Sequence, residues 1–377
     1  MKILIISNSI TPHQIPLCEA FLNLDDVELL FFESHTIDKL KLPIGWRALD
    51  SKDYVISYSQ FCNNEEFYRA EILNADAVIF GSAPMHFVQQ RLEAGKLTFL
   101  YSERIYRNYK EVLKWPFHYC KFQYLYERFQ NLYLLCASAY AAEDYRRVGC
   151  FKNKAYKWGY FTPVPNHYES VNSNSKDEGI IRLMWCSRFI DLKHPEMPIN
   201  LAARLKNEGF QFQIDMYGEG DLYEPMKRLC NKLGVSDCVI FKGSRPNKEI
   251  YEAMRNHHIF LFTSDKGEGW GAVTNEAMSN GCVIVGSRAI GSVPYLVQHR
   301  ATGCIFESKN LDSLHNEVKW LLDNPKQRQI ISRNGYERMA QVWSPGNAAK
   351  NLVMLVKELT GQFHTKIIDG PCSKHEK

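Results

Sequence analysis

The 377-residue sequence contains no long apolar run. No window approaches the ~18 uninterrupted apolar residues of a membrane-spanning helix, and the N-terminal run Ile3 to Ile6 is too short for the apolar core of a signal peptide. A soluble, cytoplasmic protein is expected, at most peripheral to a membrane. There is no Cys-x-x-Cys, and the eleven cysteines are odd in number and irregularly spaced, which argues against a disulfide framework and suits reduced thiols. Blocks of lysine or arginine are missing as well, and the net charge is only +4, so no nucleic-acid partner is expected. No Asp-x-Asp pair occurs. A carboxylate-held Mg²⁺ therefore has no evident ligands, and no metal or other cofactor is expected.

What the chain does have is core material. Hydrophobic residues make up 45% and charged residues 23%, ordinary globular usage, and the length exceeds what one hydrophobic core usually supports. Short apolar runs alternate with longer mixed segments, the pattern of βαβ units around parallel sheets. In the first half they fall at 2–7, 27–32, 53–58, 77–82, 97–102 and 132–138; in the second at 181–187, 211–218, 238–243, 259–264 and 282–287. Between the halves, "TPVPNHYESVNSNSKDEG" (162–179) is rich in Pro, Ser, Asn and charge, with almost no apolar side chain to bury. The expected organisation is a first α/β domain over 1–165, a linker over 166–179, a second α/β domain over 180–344, and a C-terminal segment over 345–377. That last segment holds a helix packing back on the first domain, followed by a loosely held tail. Two doubly wound halves facing a cleft would bind ligands beyond the carboxyl ends of their strands.

The segment "KEVLKWPFHYCKFQYLYERF" (110–129) interleaves basic residues with seven aromatics, and Pro116 prevents one long helix. Contact with anionic lipid is one reading. Aromatics at helical spacing are more often core, and core packing is the reading adopted.

The densest chemical signal is "DKGEGWGAVTNEAMSNG" (265–281), directly after the apolar run Ile259 to Phe262. It reads as a buried strand, a turn over Ser264 to Gly271, and a helix over Ala272 to Asn280 closed by Gly281. Glycines at 267, 269 and 271 would let backbone approach a ligand, and the helix start favours phosphate. Glu268 and Glu276 beside such a site make sense if they accept from sugar or ribose hydroxyls. After the first strand of this half, "CSRFIDLKHPE" supplies Arg188 for bidentate phosphate contact and Lys193 as a point charge. Taken singly, each glutamate reads as a helix-start complement, Arg188 as a weak surface ion pair and Lys193 as a solvated cation. Their joint occurrence on loops after strands favours a site. Trp270, between two turn glycines, is expected to be exposed and to line it.

These residues carry a resemblance. "CSRFIDLKHPEMPINLAARL", "MYGEGDLYEPMKRLCNKLGVSDCVIFKGS", "GEGWGAVTNEAMSNGCVIVGS", "AIGSVPYLVQHRATGCIFE" and "WSPGNAAKNLV" stand in the order and spacing of retaining family 4 glycosyltransferases of GT-B fold, over roughly 180–355. The resemblance implies transfer of a sugar from a nucleotide-diphospho-sugar donor to a glycan or lipid-linked saccharide acceptor, in polysaccharide biosynthesis. It implies that Arg188 and Lys193 hold the diphosphate, that Glu276 binds the ribose and Glu268 the sugar hydroxyls, completing an E-x7-E pattern. Backbone at Gly269, Trp270, Gly271, Ala272 and Val273 would lie along the donor. A nucleotide-sugar 2-epimerase or a non-catalytic assembly protein on the same fold are the alternatives. In the first domain the opening loop lacks the family's glycines, and "SERIYR" stands where many members have a histidine. His13, Glu103 and Arg104 are the candidate donor or acceptor contacts there. An internal ion pair is the alternative for the last two, and an ordinary surface histidine for the first.

Overall fold

The structure is a computed structural model that describes residues 1–36, 52–166, 168–170, 179–364 and 366–375. The chain divides into two compact units, Met1–Thr162 with Val342–Lys377, and Pro163–Gln341.

The first unit is built on strands β1 (Lys2–Ser7), β2 (Glu28–Glu33), β3 (Val55–Ile56), β4 (Ala77–Phe80), β5 (Thr98–Ser102), β6 (Leu132–Cys136) and β7 (Ala155–Lys157), in the order β3-β2-β1-β4-β5-β6-β7. Every pairing among them is parallel. A parallel sheet needs cover on both faces, and β1 shows it, with Ile3 to Ile6 all buried. Six of these strands fall on the predicted runs. The three residues of β7 are too short to register as a pattern.

The helix Pro345–Leu359 packs on Ile15–Leu22 in this unit. The segment after it is not loose. Cys372 and Ser373 are buried, the Lys157 N–H donates to the Ser373 carbonyl (2.8 Å), and the Cys372 N–H donates to the Lys157 carbonyl (2.7 Å). The tail thus clasps the β7 edge and satisfies backbone groups an edge strand leaves open.

A second correction concerns 110–129. The helices Tyr109–Leu113 and Trp115–Phe122 and the π-helical turn Gln123–Glu127 put Phe122 and Tyr126 against the core and bury Phe129, but leave Trp115, Phe117, Tyr119 and Tyr124 exposed. Some of the apolar side chains on these helices are packed and others are left to solvent.

The second unit holds β8 (Ile181–Cys186), β9 (Phe212–Tyr217), β10 (Val239–Gly243), β11 (Ile259–Phe262), β12 (Val283–Ser287) and β13 (Cys304–Phe306), in the order β10-β9-β8-β11-β12-β13, again with only parallel pairings. In chain order this is 3-2-1-4-5-6, the doubly wound arrangement whose order reverses between β8 and β11. Leu183, Trp185, Ile214, Leu261, Val283 and Val285 fill its core. Tyr168, within the expected linker, is buried against Tyr336 and exchanges a hydrogen bond with Ser332 (2.9 Å). That part of the stretch is anchored; 171–178 lie outside the described residues.

Candidate functional site

In the second unit the loops leaving β8 and β11 flank the switch point, and they are fastened to each other. Thr263, fully buried after β11, accepts from the Trp185 indole (2.9 Å) and donates to the carbonyls of Lys193 (2.7 Å) and His194 (3.2 Å). The Asp265 N–H donates to the Leu192 carbonyl (3.2 Å). These bonds set the position of Lys193, whose ammonium pairs with the Glu268 carboxylate. Both side chains are largely buried, at 12% and 15% exposure, so solvent screens this pair less than a surface one.

Asp265 is a second hub. Its carboxylate accepts from Lys309 (2.8 Å), from the His194 ring (3.2 Å) and from the Gly267 N–H (2.9 Å). Burial alone would raise Asp265, but the bonds from Lys309, Gly267 and His194 hold it below the ordinary carboxylate range. His194 in turn is raised, chiefly by its bond to Glu196 (2.9 Å), with Asp265 adding to it against burial. Sequence reasoning missed this pair, although both residues stand inside the quoted stretches. Their partnership is tertiary and left no local signal.

Glu276 lies on the helix Val273–Ser279, and Tyr251 of the helix Asn247–Asn256 donates its hydroxyl to it (3.2 Å). Burial pushes the Glu276 carboxyl up to about 7, with the Tyr251 bond opposing. The Cys186 thiol, at the end of β8, is pushed up to about 12 by burial and then by the Glu276 charge, while Lys193 lowers it. Both charges therefore act on the carboxyl end of that strand. Arg188, two residues beyond it, is exposed, and no partner for its guanidinium is found among the described residues. Ala272 caps the helix start, Val273 opens it, and Gly269 is buried.

The glycine turns have an internal reason. Gly271 has φ +82°, and a Cβ there would meet the Phe262 ring at 2.6 Å. At Gly218, in the turn "GEGDLY" after β9, φ is +122° and a Cβ would fall 1.9 Å from the Ser187 carbonyl oxygen. That turn supports the loop bearing Arg188, since the Phe189 N–H also donates to the Glu219 carbonyl (2.9 Å). Trp270, expected to be exposed, is only 1% accessible. Its indole donates to Asn275 (2.9 Å) and its carbonyl accepts from the Ser292 N–H (3.0 Å). The ring is a peg that holds the turn down.

In the first unit, His13 stacks on Tyr160 (6.0 Å between centroids), and the Tyr160 hydroxyl donates to Glu103 (2.7 Å). Burial lowers the His13 pKa, so its neutral form is favoured. Glu103 pairs with Arg107 and not with its neighbour. Arg104 lies 3.9 Å from buried Asp144 and over the Tyr140 ring at 4.7 Å, and its Nε has no hydrogen-bond partner among the described residues. Tyr101, Glu103, Arg104, Arg107 and Tyr160 border a cavity of about 410 Å³.

Comparison with known proteins places the second unit. Residues 168–338 match the family Glycosyl transferases group 1. The chain is 30% identical over 128 residues to the amylovoran biosynthesis glycosyltransferase AmsK of Erwinia amylovora, covering 33% of this chain and 31% of that protein. It is 26% identical over 163 residues to a GDP-mannose-dependent alpha-(1-6)-phosphatidylinositol monomannoside mannosyltransferase of Mycolicibacterium smegmatis, covering 42% of each. The matched stretch thus spans less than half of either relative. The structure of HepE from Anabaena in complex with UDP superimposes with a TM-score of 0.71 at 15% identity, over 95% of this chain and 100% of that one. The fold is GT-B, two Rossmann-like α/β domains.

Proposed function

We propose that the chain is a retaining, metal-independent glycosyltransferase of hexosyltransferase type, moving a sugar from a nucleotide-diphospho-sugar to a hydroxyl of a glycan or lipid-linked saccharide in surface polysaccharide synthesis. The observation that carries this reading is the meeting of Lys193 with Glu268 across the switch point of a 3-2-1-4-5-6 parallel sheet, inside the matched segment. A cation for a diphosphate and a carboxylate for hydroxyls are the two chemistries such a donor requires.

In this reading Arg188 and Lys193 take the diphosphate, Glu276 the ribose diol and Glu268 hydroxyls of the transferred sugar. Backbone at 269–273 lies along the donor. As the bond from the anomeric carbon to the phosphate oxygen lengthens, negative charge grows on the leaving diphosphate, and the two cations stabilise it. They do so without a bound metal. The acceptor oxygen bonds to the anomeric carbon, and its proton passes to the departing phosphate, so no separate protein base is needed. The cavity beside Glu103, Arg104 and Tyr160 supplies aromatic faces and charges suited to a saccharide acceptor.

The relatives' names support a nucleoside diphosphate donor and leave the base open. Thermal stabilisation of the protein by UDP, GDP or ADP reads the base directly, because a ligand at about a hundred times its Kd adds roughly 2.7 kcal/mol to stability. Labelled donor incubated with and without a saccharide acceptor reads the reaction. Transfer only with acceptor, unaffected by a chelator, is expected. Epimerised donor without acceptor would replace this proposal with an isomerase, and no stabilisation by any nucleotide would remove it.

A further inference from the structure

The loop after β5 carries two arginines whose surroundings treat them differently. Arg107 pairs with one oxygen of Glu103, and the other oxygen accepts from the Tyr160 hydroxyl (2.7 Å). Arg104 is 12% exposed; its Nε is buried without a hydrogen-bond partner, and its terminal nitrogens donate to no described residue. A charged group this deep is normally paired and hydrogen-bonded. Asp144 does not meet that need. It stands 3.9 Å from the Arg104 Nε, beyond hydrogen-bond reach, and its Oδ2 accepts the N–H groups of Ile105 (2.9 Å) and Tyr106 (3.1 Å) instead. Asp144 therefore fixes the backbone beside Arg104 and offsets part of its charge, while Arg107 and Arg147 add positive charge around it.

The Arg104 guanidinium lies over the Tyr140 ring at 4.7 Å and borders the cavity of about 410 Å³. Stacking holds one flat face on an aromatic ring and leaves the planar N–H edge for an outside acceptor. The cavity lies past the carboxyl ends of β4 and β5, with Ser82 and Tyr101 on its border, where open α/β sheets take their ligands. Its volume is that of a small-molecule site. Among the described residues on that border Glu103 is the only carboxylate, and Arg107 and Tyr160 already hold it. Tyr101, Tyr145 and Tyr160 supply walls that are aromatic with a polar tip.

We infer that Arg104 is the receptor for an anionic group on the saccharide that enters this cavity, a carboxylate or a phosphate gripped by the guanidinium edge while the tyrosines flank the sugar ring. A neutral sugar would leave a buried cation short of acceptors, whereas a pair of anionic oxygens matches its fork by charge-assisted bonds. The acceptor is then a uronate- or phosphate-bearing saccharide. Its naming as acceptor rests on the glycosyltransferase reading; its binding does not.

The test is ligand-observed NMR on the full chain without nucleotide, with glucuronate, glucose 6-phosphate and glucose as probes. At least one anionic sugar is expected to bind about tenfold or more tightly than glucose, and the one that does identifies the group as carboxylate or phosphate. Arg104→Gln lowers this binding about tenfold. Because that change leaves Asp144 without its counter-charge, two further variants accompany it. Arg104→Lys keeps the charge without the fork and recovers part of the binding. Ser82 is exposed on the cavity border with φ +54°, a conformation aspartate adopts readily, so Ser82→Asp keeps the wild-type melting temperature while its charge repels the anion and weakens binding by a similar factor. Glucose binding as tightly as both anionic sugars overturns the inference, as does binding that Arg104→Gln and Ser82→Asp leave unchanged, or no binding of any probe. Stabilisation by nucleoside diphosphates, measured on the same samples, reads the second unit and stays at the wild-type level in every variant. Its absence would remove the glycosyltransferase reading and leave the anionic-sugar site standing.

Discussion

Lys193 and Glu268 sit 75 residues apart in the chain and hold each other across the switch point of the second sheet. In the proposed reaction each has another duty, Lys193 toward the diphosphate and Glu268 toward the sugar. The pair keeps both charges compensated until a donor replaces the contact. Lys193→Ala is expected to lower turnover by about 10² or more, the usual cost of removing a donor aimed at developing negative charge. Glu268→Gln leaves the hydrogen-bonding shape but frees Lys193, so it should raise KM for the donor more than it lowers kcat. Steady-state kinetics of the two variants separates these outcomes. Near-normal turnover of the lysine variant would remove its assigned role.

The Thr263 hydroxyl offers a subtler lever, because it touches no ligand in this reading. It accepts from Trp185 and donates to the Lys193 carbonyl. Thr263→Val keeps the shape and leaves the buried indole N–H and that carbonyl unsatisfied, a cost of about 1–3 kcal/mol. Turnover should fall with the lysine loop loosened, while Thr263→Ser restores both stability and rate. A serine variant as impaired as the valine one would show that the methyl group, not the relay, matters.

All eleven apolar runs in the sequence became strands, because parallel strands covered on both faces are written as continuous apolar segments. The two that escaped, β7 and β13, have three residues each and carry too little pattern. Candidate residues carried by neighbouring loop motifs could be picked out, and the structure brings two of them, Lys193 and Glu268, into contact. The Asp265–His194–Lys309 cluster and the Tyr251–Glu276 bond could not, since their partners lie on separate elements. Trp270 misled for a local reason: a tryptophan between turn glycines reads as exposed, yet the turn folds its ring inward against Asn275. Periodicity likewise showed that 110–129 was helical and aromatic without showing which of its aromatics faced the core.

Arg91 tests the stability of the first unit. It is 1% exposed, and its guanidinium donates to the carbonyls of Ile72, Leu73, Ala75, Asp76 and Leu97 and to the Thr98 hydroxyl. Burial lowers its pKa to about 10, with the Asp76 charge opposing. The residue closes the end of the helix Glu65–Asn74, whose last carbonyls have no partner within the helix. Arg91→Met removes every one of these bonds and is expected to cost at least about 1–3 kcal/mol, the penalty for leaving buried acceptors unsatisfied. Arg91→Lys replaces the fork by a single ammonium and should recover only part of it. Calorimetry should show the loss, with nucleotide stabilisation of the second unit preserved.

The last prediction uses the Glu276 carboxyl, raised by burial to about 7 beside the Tyr251 hydroxyl. For an acid whose folded pKa lies above its unfolded value, the folded state binds more protons between the two. Stability from this group is therefore greatest at low pH and declines as pH rises from about 4.5 to about 7. Nucleotide binding should run the other way. A ribose diol donates two hydroxyl hydrogens, and an ionised carboxylate accepts both, whereas the acid form must spend one oxygen as a donor. Affinity for the nucleoside diphosphate is expected to rise through pH 7 as this proton leaves, while the unliganded protein becomes slightly less stable. Tyr251→Phe removes the bond that favours the ionised form and should shift the binding transition to higher pH. Glu276→Gln should flatten both profiles and weaken binding at high pH. Calorimetric titrations across the range, with a melt at each pH, read both quantities, and a Glu276→Gln variant that keeps the wild-type pH profile would take the ribose role away from Glu276.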